Sequence, residues 1–168
     1  MQQHSIRILH VDDDAQFADL TATLLEREDD RFVVDTALSA SEGIDSLRDR
    51  SPDCIVSDYD MPGRNGIEFL QTVRDEWPEI PFILFTGKGS EEVAGRAISA
   101  GVTDYLQKKS SSEQYALLAN RIINAVERKQ TSEALTETQE RYQSLRTELI
   151  EVSIKLLESK HQDIDNRI

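Results

Sequence analysis

Three acidic or hydroxyl-bearing clusters each close a short apolar run. Asp12-Asp13-Asp14 follow Ile6 to Val11, Asp58-Tyr59-Asp60 follow Cys54 to Ser57, and Thr86-Gly87 follow Phe82 to Phe85. A further run, Thr103 to Gln107, leads into Lys108-Lys109. If these runs are parallel strands of one sheet, their carboxyl ends share an edge, where open α/β sheets bind ligands. Two carboxylates ~5 Å apart repel by roughly 3 kcal/mol at an effective dielectric of 20, so Asp12, Asp13 and Asp58 together call for a compensating cation. Oxygen donors that leave room for water and phosphate oxygens suit Mg²⁺. A carboxylate beside Mg²⁺ can act as nucleophile toward a phosphoryl group and become an aspartyl phosphate. Lys108 would pair with one oxygen of that product and the Thr86 hydroxyl with another. The residue types predict phosphoryl acceptance.

The elements that must position these groups can be read from five apolar runs separated by amphipathic stretches, the fifth being Phe32 to Thr36. Strands alternating with helices predict βαβ units and a parallel sheet covered on both faces, a (βα)5 α/β fold. Ser39 and Ser90 stand as helix starts, and Asp14 caps the first helix. Pro52, Pro62, Pro78 and Pro81 fall between elements, and Gly101 ends the fourth helix. From Ser112 to the end there is neither proline nor glycine, which predicts a long helix. Within it Leu135, Tyr142, Leu149 and Leu156 recur every seven residues, with Thr138, Leu145 and Val152 three positions after the first three, a coiled-coil seam. A second stripe, Ile150, Ile154, Leu157, Ile164 and Ile168, predicts that the tail buries against something outside the first domain. The expected division is a domain over residues 5–127 and a helical extension over 128–168.

Asp12-Asp13, then Asp58 with Met61-Pro62-Gly63 and Asn65-Gly66, then Thr86-Gly87, Ala100-Gly101, Tyr105 and Lys108 form a joint pattern. It resembles the receiver domain of two-component response regulators. The resemblance implies a doubly wound, flavodoxin-like five-stranded sheet in the order 2-1-3-4-5, with Asp58 as phospho-acceptor and a sensor histidine kinase as donor. It implies that Asp13, Asp58 and the Asp60 backbone carbonyl bind Mg²⁺ with Asp12 acting through water, and that Thr86 and Tyr105 are a switch pair. It further implies a phosphorelay component and not a stand-alone enzyme. Phe85-Thr86-Gly87-Lys88-Gly89-Ser90 and Asp104-Tyr105-Leu106-Gln107-Lys108 resemble haloarchaeal receivers. One landmark departs: Lys109 occupies the place of a proline that often follows a cis bond. A cis non-proline bond costs ~3 kcal/mol, so the Lys108–Lys109 bond is expected to be trans or strained. Register favours Lys108 as the lysine of the site. Gly87 should leave the site open, with Asp60 and Lys88 flanking its mouth.

Two other readings compete. A degenerate receiver would serve only as a protein-binding module, but all five site positions are intact. A haloacid-dehalogenase-like phosphatase also uses an Asp-x-Asp nucleophile, yet Pro62 stands where that pattern needs Thr or Val, and Asp12-Asp13 precede the nucleophile instead of following it. His4 and His10 lack a second histidine at ligand spacing and read as structural or surface residues. Cys54, the single cysteine, reads as core and excludes an intrachain disulfide. The chain carries 32 acids against 19 basic residues for a net charge of -13, which disfavours nucleic acid and anionic membrane as partners. That charge sits in residues 1–127, with 24 acids and 12 bases, and not in the tail, with 8 and 7. Only 6 of the basic residues are lysine, a composition suited to high salt, where the Debye length falls to ~3 Å at 1 M. No run approaches the ~20 apolar residues of a membrane span and the N-terminus lacks signal-peptide character, so a cytoplasmic location is expected. The tail reads as a dimerising helix, a linker toward a missing output domain, or a surface that captures a downstream protein.

Overall fold

The computed structural model describes residues 4–87 and 89–165, the last three of these by backbone alone. Lys88 at the expected site mouth, and the Ile164 and Ile168 side chains of the second stripe, lie outside the described residues. Five strands alternate with five helices: β1 (Ile6–Val11), α1 (Ala15–Glu28), β2 (Phe32–Ala37), α2 (Ala40–Asp49), β3 (Cys54–Ser57), α3 (Gly66–Glu76), β4 (Phe82–Thr86), α4 (Glu91–Ser99), β5 (Asp104–Gln107) and α5 (Glu113–Asp165). The strands form one parallel sheet in the order β2-β1-β3-β4-β5, as expected. Parallel strands need crossovers, and the helices supply them while covering both faces.

Alternation along each strand splits the core in two. Leu9, Val11, Ile55, Phe82 and Leu84 face α2, α3 and α4, where they meet Leu47, Phe69, Leu70 and Ala97. Ile6, Ile8, Cys54, Val56, Ile83 and Phe85 face α1 and the start of α5, where they meet Leu25, Leu118, Ile122 and Val126. Burial on both faces is why β3 and β4 read as unbroken apolar runs. Helix starts follow the cap chemistry of the sequence. Asp14, Ser39 and Ser90 accept backbone N–H groups of α1, α2 and α4, and Asn65 with Glu68 forms a reciprocal capping box on α3. Gly101 has φ +85°, which lets the chain turn out of α4, and the Arg74 guanidinium donates to the Gly101 carbonyl at 2.8 Å.

Strand ends differ slightly from the apolar runs: β2 and β4 extend one residue because a ladder bond reaches past the apolar residues, and β5 starts one residue later. β2 continues to Ala37, which sits opposite Val11 and accepts the Asp12 N–H. β4 continues to Thr86, whose carbonyl accepts the Lys108 N–H at 2.9 Å. β5 begins one residue later than Thr103, whose hydroxyl instead accepts the Phe82 N–H. Register then fixes the site: Val11 lies opposite Ser57 and Ser57 opposite Leu84, so Asp12 and Asp58 leave the sheet side by side with Thr86 two residues beyond Leu84 on β4. These ends meet at β1 and β3, where the strand order reverses.

The chain divides into two compact units, residues 1–129 and 130–168. In the second, Leu135, Tyr142, Leu149 and Leu156 are 63–68% exposed, and Ile150, Ile154 and Leu157 are exposed as well. The described apolar members of both stripes are therefore exposed. Among the described residues no helix is long and apolar enough to cross a membrane.

Candidate functional site

A cleft of about 320 Å³ opens at the carboxyl edge of the sheet, lined by Asp12, Asp13, Asp14, Phe17, Asp58, Asp60, Thr86, Gly87 and Lys108. Asp12 is held on two sides. Its backbone N–H donates to Ala37, while one carboxylate oxygen accepts the Asp14 N–H at 3.0 Å. Asp58 is fixed through its own N–H, which donates to Val11 at 2.8 Å, and through its carbonyl, which accepts the Ser57 hydroxyl. The loop that follows closes tightly because Gly66 packs against it. A Cβ there would lie 2.2 Å from the Asp58 carbonyl oxygen, while the Gly66 N–H donates to Tyr59. This is the physical reason for glycine in Asn65-Gly66.

Lys108 reaches the acids across the sheet edge. Its ammonium lies 2.6 Å from Asp12 and 3.3 Å from Asp58, with its side chain only 18% exposed. Lys109 points elsewhere: it is exposed, and its backbone N–H donates to Gln114 Oε1 at 2.7 Å. No peptide among the described residues is cis, so the Lys108–Lys109 bond is trans and the loop into α5 forms without the family proline. Gly87 has open space where a Cβ would stand, in keeping with an unobstructed site. Thr86 is buried at the end of β4, and Tyr105 lies half-buried on β5 opposite Leu84, so both belong to the sheet face that carries α4.

The electrostatics are those of an anion cage with one cation inside. Burial pushes the Asp58 carboxyl above its ordinary range, the Lys108 ammonium pulls it back, and Asp12 adds to the rise. Ligand oxygens of Asp12, Asp13 and Asp58 all lie within 4.8 Å of one another. Three carboxylates and one ammonium leave two negative charges, and the donors are hard oxygens with Asp13 open to solvent. That set fits a divalent cation such as Mg²⁺, which keeps waters and takes few protein ligands.

Two neighbours of the site remain, Phe17, which the sequence did not single out, and His10, which it left as structural or surface. Phe17, on the first turn of α1, carries the Lys108 ammonium 4.2 Å from its ring centroid. Its place three residues after the Asp14 cap, on the same helix stripe as Ala18, Thr21 and Leu25, is the signal that marks it as inward-facing. His10 is fully buried on β1, 6.3 Å from the Phe17 ring, which settles its place in the core and not at the surface. The Ala18 backbone lies near enough to favour a charged ring slightly, but neither imidazole nitrogen makes a well-formed hydrogen bond to the described residues. Burial pushes its pKa down to about 4 against the pull of Asp12, with Lys108 adding to the fall, so the ring is neutral.

Comparison with known proteins agrees with this geometry. Residues 8–120 match the response regulator receiver domain. The chain is 32% identical over 119 residues to the transcriptional regulatory protein DesR of Bacillus subtilis, covering 71% of this chain and 59% of DesR. It is 33% identical over 147 residues to hybrid signal transduction histidine kinase D of Dictyostelium discoideum, covering 86% of this chain but 9% of that protein. A solved CheY-like receiver domain protein from Methanospirillum hungatei superposes with a TM-score of 0.68 at 26% identity, covering 76% of this chain and 98% of that one. The chain thus spans less than two thirds of the full length of these curated relatives.

His10 yields a pH test of the fold. Its folded pKa of about 4 lies below its unfolded value of 6.5, so the unfolded chain binds the proton more readily. Stability is therefore complete above pH ~6.5 and falls as pH drops toward 4, by about 3 kcal/mol. In urea unfolding with EDTA present, His10→Val should lose about 3 kcal/mol less than the parent between pH 6.5 and 4. Parallel losses would show that the imidazole is not held neutral.

Proposed function

The chain belongs to the response regulator receiver family, and on that premise we propose that Asp58 accepts a phosphoryl group from a phosphohistidine of a sensor histidine kinase. The observation that carries this reading is the Lys108 ammonium bridging Asp12 and Asp58 beside exposed Asp13. An Asp58 carboxylate oxygen attacks phosphorus, an O–P bond forms, the P–N bond breaks, and the imidazole nitrogen leaves with the electron pair. Asp13, Asp58 and the Asp60 carbonyl are the residues that would hold Mg²⁺, with Asp12 acting through water. Bound there, the ion would neutralise charge that builds on the transferring oxygens. Lys108 supports the same charge from the β5 side, and the Thr86 hydroxyl is suited to hydrogen-bond a product oxygen. Tyr105 shares a sheet face with Thr86, which supports the pair as a switch that responds when the hydroxyl moves inward. On this reading the protein is a phosphoryl acceptor and not a stand-alone enzyme, and it works in the cytoplasm.

Residues 5–127 form the receiver on this reading, and 128–168 are an extension that carries the signal to a second copy of the chain, to a downstream protein or to an output domain. Two apolar stripes on a helix with almost no net charge support that role. The acid excess, the scarcity of lysine and the wording around Thr86 and Tyr105 support a haloarchaeal type.

Three measurements test these points. Acetyl phosphate or beryllofluoride should form a Mg²⁺-dependent adduct that Asp58→Asn and EDTA each abolish; an adduct that persists in Asp58→Asn would remove Asp58 as acceptor. Light scattering should give a larger assembly for the full chain than for a chain ending at residue 128, and equal protomer number would exclude self-association through the tail. Unfolding in 0.1 to 3 M KCl should show stability rising with salt as acid repulsion is screened, whereas a maximum at the lowest salt would reject the halophilic assignment.

A further inference from the structure

Lys108 faces a difficulty built into the site. Its two anionic partners are the groups whose charge changes when the site works. On the reading above, Asp58 loses the charge of its carboxylate oxygens when it becomes an acyl phosphate, and Asp12 is shared with the dication. An ammonium held only by those acids would be free to swing toward solvent during that exchange.

The structure supplies a partner that does not change. The Lys108 Nζ sits 4.2 Å from the Phe17 ring centroid and 5.8 Å from that of Phe85. The two rings stand 6.1 Å apart at 34° and form an apolar corner beneath the cation. Phe85 is fully buried, and the Phe17 backbone is pinned at the start of α1 by its N–H, which donates to Asp14 Oδ1 at 3.1 Å. The face of an aromatic ring attracts a cation through its quadrupole, more strongly when the pair is shielded from water, and the Lys108 side chain is only 18% exposed. A ring neither binds a metal ion nor takes a proton, so its attraction persists through every charge state of the acids.

We infer that Phe17 is a positioning residue, holding the Lys108 ammonium at the phosphoryl site by a cation–π contact while its carboxylate partners change charge. Asp14 belongs to the same device, because as the cap of α1 it sets where the Phe17 ring stands. The inference rests on Asp58 being the acceptor, and its test separates the two.

The experiment replaces Phe17 with mono-, di- and trifluorophenylalanine, which keep the ring's shape while progressively weakening its negative face, and with Leu, Tyr and Trp. The first readout is the Lys108 side-chain methylene and ammonium NMR signal in the unphosphorylated protein without metal, assigned by its absence in Lys108→Ala. A ring-current shift should be present in the parent and in the Tyr and Trp variants and fall in Phe17→Leu to the small remainder from the more distant Phe85 ring. Its absence in the parent overturns the contact whatever Asp58 does. The second readout is the rate of Mg²⁺-dependent modification by acetyl phosphate. It should fall stepwise across the fluorinated series and reach about fivefold to tenfold in Phe17→Leu, with recovery in Tyr and Trp and an unfolding midpoint constant across the fluorinated series. A flat rate across that series overturns the positioning role. If the parent is never modified while the ring-current shift is seen, the acceptor assignment fails and the contact stands.

Discussion

The ammonium of Lys108 between Asp12 and Asp58 is the interaction on which the rest of the structure depends. Carboxylates gathered in a half-buried cleft repel one another, and each loses hydration that the protein must replace. One internal cation relieves part of that cost and leaves two negative charges, an imbalance that keeps the site receptive to a dication. The residues that contribute it are 96 positions apart in the sequence, so the contact exists only if the whole sheet is assembled in register. Folding and site formation are in this sense one event.

The register explains why the sheet has no freedom to place these groups otherwise. Side chains alternate between two buried faces, and a slip of one residue would drive the α1/α5 core residues of β1 into the layer of α2–α4. The same alternation turns Phe85 toward Phe17 and Thr86 toward the side of Tyr105. Two consecutive residues of β4 thus serve different neighbours of the site, one beneath the lysine and one beside the aromatic of β5.

Much of this was legible in the sequence, for identifiable reasons. β1 and β3 can be bounded to the residue because each is a short run rich in buried apolar residues and the first carboxylate after it marks its end. Asp14, Ser39 and Ser90 are legible as caps because cap chemistry is local. Lys108 could be preferred to Lys109 because strand alternation fixes which of two neighbours turns inward. Phe17 and His10 were not legible in the same way. What matters about Phe17 is the ammonium above it, brought from the far edge of the sheet, and a phenylalanine on an inward stripe looks like any core residue. His10 reads as polar in isolation, whereas its place in the alternation of β1 buries it completely and burial keeps it neutral.

The packing also indicates where a change at Asp58 can be absorbed. β1, β3 and β4 are closed on both sides, and tightly packed cores pass from one arrangement to another instead of deforming gradually. β5 is different: Asp104, Tyr105 and Leu106 are only half-buried, Gln107 is exposed, and on the neighbouring α4 Ile98 is 71% exposed. Open space beside Gly87 lies at the same edge. A charge change at the site therefore meets a rigid wall of β1 and β3 on one side and a yielding flank of α4 and β5 on the other. Elements with few buried contacts are the ones that move at low cost. On the proposal that Asp58 is the acceptor, this asymmetry, more than any single residue, would give a local event there a direction in which to spread.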